Sequence, residues 1–217
     1  MKSADKRKMQ IAVDILMAAI LLIQMSYSLA GELLHEITGI AFFALFICHH
    51  IIVRSYTKAL FKGKRTAEKA AKITVDILLL IIMLIMMASA LPISKHLFTF
   101  LEISRFSSVG RTAHLLGAYY SFALMNIHIG FHLDAMLNKT VKSKKTAAIA
   151  SLCAVFAAGL FLFIHEGIYR YMLLIDRFVF LDTRGGLPLF LIKYILIGGM
   201  FAVTGYGILT LLKGRKQ

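Results

Sequence analysis

The chain has 217 residues, of which 59% are hydrophobic and only 17% carry a charge. Soluble domains are closer to half apolar, with about a quarter of their residues charged, so this composition excludes a disordered chain and argues against a water-soluble globule. A net charge of +14 would suggest nucleic-acid binding in a soluble protein. Here the basic residues lie in short segments between apolar runs, so we predict no nucleic-acid partner.

Six apolar segments predict six membrane-spanning helices, because each has about the 20 residues needed to cross the hydrocarbon layer. The segments cover residues 11–30, 33–53, 73–91, 112–137, 146–165 and 187–212. The first two are joined by little more than Gly31 and Glu32, which favours a tight antiparallel hairpin. Signal-peptide cleavage after Ala30 is a minor alternative. We predict a single all-α polytopic membrane domain over residues 1–217.

Lysine and arginine are concentrated in alternate connections, which predicts the orientation of the chain. Most of the 25 basic residues lie in the N-terminal segment, in residues 54–72, in residues 139–145 and in the C-terminal tail. Short connections rich in Lys and Arg stay on the cytoplasmic side, so we expect both termini in the cytoplasm. The stretch 167–184 mixes aromatic and charged residues and indicates an interfacial cap on the outer face.

A short repeat opens the first and third segments, where the sequence Val-Asp-Ile-Leu includes Asp14 and Asp76. Each copy precedes a segment rich in histidine. The repeat predicts two similar helical hairpins forming a four-helix bundle over residues 11–137, with a peripheral helix pair and cap over residues 146–212. We interpret the two aspartates as helix caps or as partners of Lys72 and its neighbours.

Six of the eight histidines lie in the second and fourth segments, and their spacing is the same in both. His35 and His49 are fourteen residues apart, as are His114 and His128. Fourteen residues make just under four helical turns, so the members of each pair share nearly one face about 21 Å apart. The two segments run in the same direction. His35 is therefore expected level with His114, and His49 level with His128.

This pattern predicts a bundle that holds two b-type haems, one above the other across the bilayer. One iron would be held by an outer pair, His35 and His114, and the other by an inner pair, His49 and His128. His132 or His50 is an alternative inner ligand. We also expect three nearby glycines to make room for the flat ring: Gly39, Gly117 and Gly130. With both axial positions filled by protein, the expected chemistry is electron transfer.

Other polar residues have open roles. Arg54, Arg111 and Lys139 are candidate partners of haem propionates, or else ordinary interfacial anchors. A histidine-lined transporter or metal-binding permease is an alternative that uses the same histidines. A quinone-reactive cytochrome b subunit of a membrane oxidoreductase is another, in which Glu36 or Asp134 would carry protons.

Several motifs resemble those of the flavinylation-associated cytochromes, a bacterial membrane family. The similarity covers nearly the whole chain and is most specific in the fourth segment. The matching motifs are His35-Glu36-x-x-Gly39, His49-His50, the basic run 58–64, Arg111-x-x-His114, Phe122-x-Leu124-Met125-x-x-His128-x-Gly130-x-His132, Val179-Phe180-x-Asp182, Tyr194 and Gly205-Tyr206.

This resemblance implies a b-type cytochrome of the bacterial cytoplasmic membrane. Its partners would be extracytosolic proteins that carry covalently bound FMN, with a quinone or an inner donor as the source of electrons. It also implies an electron-transfer subunit, with oxidoreductase activity belonging to the complex.

Overall fold

The computed structural model describes residues 3–64, 66–140, 145–179 and 184–214. This part of the chain is helical and contains no strand. Its α-helices are α1 (Ser3–Met25), α2 (Tyr27–Ala30), α3 (Glu32–Leu60), α4 (Ala67–Ala90), α5 (Ser107–Thr140), α6 (Lys145–His165), α7 (Ile168–Met172) and α8 (Gly186–Gly214). Three short 3₁₀ turns, Leu91–Ile93, Thr99–Leu101 and Ser104–Phe106, lie between α4 and α5.

Among the residues that the structure describes, five helices are long and apolar enough to cross a membrane: α1, α3, α4, α6 and α8. Much of their apolar surface faces outward; Ile15 is 63% exposed and Leu211 is 73% exposed. Extended apolar surface of this kind is costly in water and is satisfied by lipid. The five helices indicate a membrane protein.

The fourth predicted segment lies in α5, which is not among these five helices. At 34 residues it is about 50 Å long, since a helix rises 1.5 Å per residue. The apolar part of α5 has a lower mean hydropathy than the five spans, because histidine, tyrosine and asparagine interrupt its apolar residues. Those residues are tolerated because α5 packs between α4 and α8, with α7 against it as well. A sixth span through α5 stays a prediction.

The helices pack as an N-terminal hairpin and a main layer. In the N-terminal hairpin, α1 packs along α3 and α2 lies at the turn between them. In the main layer, α4, α5, α8 and α6 follow one another side by side. Among the described residues, few backbone contacts join the hairpin to the layer, and most of them lie between α3 and α4 and between α1 and α8. Buried side chains of both parts, including Phe42, Phe46 and Tyr119, nevertheless belong to one apolar cluster. We call this boundary the seam.

Helices α5 and α8 pack closely against each other. Phe122 on α5 and Ile197 and Leu209 on α8 are almost fully buried. A methyl group at Gly130 would overlap the carbonyl oxygen of Ala202, so the two backbones touch at this position. Such close approach through small residues is common between membrane helices. The prediction placed α6 and α8 together at the periphery. In the structure α8 belongs to the core, and only α6 is peripheral, packed on the other side of α8.

The connections at the two ends of the bundle differ in charge. Residues 61–66 join α3 to α4 and follow a basic stretch, so we call this the basic end. At the opposite end Gly31 adopts a positive φ of 84° between α2 and α3, a conformation that glycine accepts without strain. The predicted cap contains α7 there, and Tyr171 of α7 stacks on Tyr119 of α5 with ring centres 5.1 Å apart. Phe180 and Asp182 lie outside the described residues.

Candidate functional site

The outer pair meets across the seam. The ring centres of His35 on α3 and His114 on α5 are 6.1 Å apart, with ring planes 70° from parallel. An imidazole nitrogen lies about 2 Å from a metal that it binds, so two imidazoles on opposite sides of one metal have centres about 6 Å apart. The spacing of these two rings therefore fits a metal between them.

Hydrogen bonds around the outer pair differ for its two members. His114 Nδ1 lies 3.3 Å from the hydroxyl oxygen of Ser89 on α4. His35 Nδ1 is buried and has no hydrogen-bond partner. The backbone of His35 is fixed instead, because the side-chain amide of Gln24 donates to its carbonyl oxygen at 3.0 Å and to Thr38 at 2.9 Å. An unpartnered buried nitrogen is costly, and a ligand would remove that cost.

The inner pair is held by the two repeated aspartates. Asp14 on α1 contacts His49 on α3, with Oδ1 and Nδ1 2.7 Å apart. Asp76 on α4 contacts His128 on α5, with the same atoms 2.8 Å apart. An Nδ1–H that donates to a carboxylate leaves Nε2 with a free lone pair, the arrangement typical of metal-binding histidine. The aspartates are not partners of Lys72, which pairs with Glu68 at 2.9 Å.

The two alternative ligands lie beside the inner pair. The ring of His50 is 5.7 Å from that of His49, and the ring of His132 is 5.0 Å from that of His128. His50 also lies within electrostatic range of His128. The structure thus places His50 beside His49 on α3 and His132 beside His128 on α5, and it leaves both alternatives open.

A cleft of about 430 Å³ lies between α3 and α4 at this level. Its lining is apolar except for His50 and Arg54, the latter predicted as a propionate partner. The remaining lining residues are Phe43, Phe46, Ile47, Ile51, Leu80 and Leu84. An apolar cleft with a cation at its mouth suits a flat hydrophobic group that carries an acidic substituent.

The predicted glycine cradle is largely occupied by protein. A methyl group at Gly117 would overlap the side chain of Met86 on α4, and Gly130 touches α8 as described above. Only Gly39 faces the neighbourhood of the outer pair, where the amide of Gln24 lies 3.4 Å from the position of an added methyl group. Gly117 and Gly130 therefore serve helix packing, which corrects the expectation that these two residues make room for a ring.

Glu36 fastens α3 to the loop that follows α4. Its carboxylate accepts a hydrogen bond from the Ser94 hydroxyl at 2.7 Å and from the backbone amides of Lys95 at 2.7 Å and Leu97 at 2.9 Å. The His96 amide adds a longer bond at 3.3 Å. Beside it, the Lys95 ammonium donates to Glu32, and this hydrogen bond raises the pKa of Lys95. We call these contacts the outer clamp.

The other predicted site residues are not brought to the histidines by any contact that the structure describes. Arg111 is exposed at the end of the bundle that holds the outer clamp. The side chains of Asp134 and Lys139 lie outside the described residues. Among the described side chains, no three or more His, Cys, Asp or Glu residues converge as a site for a bare metal ion.

Known proteins offer no match to this chain: no protein-family model, no curated protein and no solved structure is significantly similar to it. The resemblance to the flavinylation-associated cytochromes stays a prediction.

Proposed function

We propose that the chain is a di-haem b-type cytochrome that carries electrons across the bilayer. The observation that carries this proposal is the outer pair, whose ring centres lie 6.1 Å apart across the seam, the spacing of two ligands on one metal. The inner pair supports it, because Asp14 and Asp76 orient both rings through Nδ1. A haem iron needs only two protein ligands, since the porphyrin supplies the other four.

The residues fit the group in three further ways. Among the described residues, few backbone contacts join α3 and α5, the helices that carry the four histidines. The cleft between α3 and α4 is lined by apolar residues together with His50 and Arg54. The unpartnered Nδ1 of His35 is buried in the seam.

In this proposal His35 and His114 hold one haem, and His49 and His128 hold the other. A haem iron with two imidazole ligands exchanges single electrons and has no open position for oxygen. The protein orients the imidazoles, excludes water from the seam and sets the charge around each level. From the resemblance we propose extracytosolic FMN-bearing proteins as partners, with the basic end in the cytoplasm of a bacterium.

A transporter that moves protons or metal ions is the second candidate. The two Asp–His pairs favour it, because a carboxylate bonded to an imidazole is a common element of proton relays. A quinone-reactive subunit would use the cleft that contains His50 and Arg54. These candidates differ from the proposal in haem content, in reaction with quinol, or in both.

The test is the haem content of purified protein, expressed with ample haem precursor and measured by the pyridine haemochrome assay. We expect two haems per chain, and one haem in His114→Ala because the outer pair loses a ligand. His165→Ala is the matched control, since His165 is exposed at the end of α6, and it should keep both haems. Colourless protein would overturn the proposal, and full haem content in His114→Ala would overturn the ligand assignment.

A further inference from the structure

The inner and outer histidine pairs differ in the charge of the groups that contact their Nδ1 atoms. Each histidine of the inner pair contacts a carboxylate, Asp14 or Asp76, at 2.7–2.8 Å. The outer pair has no such contact: His114 faces the neutral hydroxyl of Ser89, and His35 Nδ1 is unpartnered. Two carboxylates therefore contact the ligands at one level, whereas at the other level no described carboxylate contacts them and Glu36 acts on His35 only through space.

Nearby cations do not cancel this difference. Lys72, the base nearest to this cluster on α4, pairs with Glu68 at 2.9 Å. Arg54 lies at the cleft on α3, on the opposite side of the seam from Asp76. His50, Tyr56 and His132 also lie within electrostatic range of Asp76, and His132 lies within that range of Asp14 as well.

A carboxylate that accepts the Nδ1–H of a ligating histidine raises the basicity of that histidine, and its charge stabilises the oxidised metal. We infer that Asp14 and Asp76 are positioning residues that set the potential of the inner haem below that of the outer haem. The inference rests on the proposed function and adds to it a direction. His49 and His128 would hold the haem that gives up one electron and is oxidised, and His35 and His114 would hold the haem that accepts this electron and is reduced. Electrons would then pass from the basic end to the opposite end.

The test is a redox titration of the purified holoprotein, followed by absorbance and by the low-spin ferric EPR signals. We expect two separate waves. Asp14→Asn and Asp76→Asn keep an oxygen that accepts the Nδ1–H but remove the charge, so each should raise the lower wave and leave the upper wave in place. The expected change is at least tenfold in the redox equilibrium constant, or about 59 mV for one electron.

Ser89→Ala is the matched control, since it removes a neutral partner at the outer level and should leave the lower wave unchanged. Asp14→Glu restores the charge and should restore the lower wave. Unchanged potentials in both Asn variants, or a shift of the upper wave instead, would overturn the inference. Loss of the inner haem in both Asn variants would also overturn it, because the aspartates would then be needed for binding instead of tuning. Failure of the proposed function looks different, since the wild-type protein would bind no haem.

Discussion

At the scale of single residues, the carboxylate of Glu36 joins two parts of the chain that are far apart in sequence. It accepts hydrogen bonds from a hydroxyl and from backbone amides in residues 94–97. Hydrogen bonds to an ionised group are stronger than those between neutral groups. Glu36 thus has a structural role in the outer clamp, and its possible role as a proton carrier stays a prediction.

Replacing Glu36 by alanine should loosen this loop. We expect a loss of about 1–3 kcal/mol in the free energy of unfolding, because several donors lose a charged acceptor at once. Amide hydrogen exchange across residues 94–97 should become faster. Glu32→Ala is the matched control: its contacts with Lys95 and Tyr27 are exposed, and exposed ion pairs contribute little to stability. Equal effects of the two substitutions would contradict this account.

The histidine contacts of Asp14 and Asp76 could not be predicted from the sequence. The repeat singled out both residues, but no spacing in the chain connects them to His49 and His128, which lie on the next long helix in each hairpin. To predict which histidine each aspartate contacts, one must know how far the connection in each hairpin displaces one helix along the other. In contrast, the outer pair followed from helical periodicity alone, because equal spacing on two helices of the same direction gives equal depth.

At the scale of helices, the hydrophobic pattern located the helices better than it located their ends. The segment predicted at 33–53 is part of a helix that runs from Glu32 to Leu60, because backbone hydrogen bonding continues into polar sequence beyond the apolar run. The segment predicted at 11–30 is divided near Ser26 into α1 and α2. There the Ser26 hydroxyl donates to the carbonyl oxygen of Ile23 at 2.7 Å and competes with the helical pattern.

The contact of α5 with α8 predicts a selective effect of small substitutions. Gly130→Ala should lower the free energy of unfolding by about 1–3 kcal/mol, because the added methyl group overlaps the backbone of Ala202. Gly207→Ala is the matched control on α8, where an added methyl group meets no atom within 4 Å. It should be neutral or stabilising, as alanine favours helix. Unfolding in mixed detergent micelles measures both, and equal stability of the two variants would argue against this packing.

At the scale of the whole molecule, charge predicts orientation. The basic end contains lysines on both sides of the 61–66 connection, and the opposite end contains the outer clamp. With Cys48 and Cys153 replaced by alanine, Lys62→Cys and His96→Cys place single thiols at exposed positions of the two ends. In intact cells a membrane-impermeant maleimide should label only the His96→Cys protein, because the positive-inside rule holds the basic end in the cytoplasm. Labelling of only the Lys62→Cys protein would show the inverted orientation.

The outer clamp and the seam together have a mechanical consequence. The N-terminal hairpin and the main layer are fastened to each other near Glu36, whereas towards the basic end a cleft separates α3 from α4. Hydrogen bonds to Glu36 thus fix the relative position of the two parts at one end of the molecule, and a gap lined by apolar side chains lies between α3 and α4 towards the other. Loss of the Glu36 carboxylate should therefore change how the N-terminal hairpin is aligned on the main layer while each part stays helical.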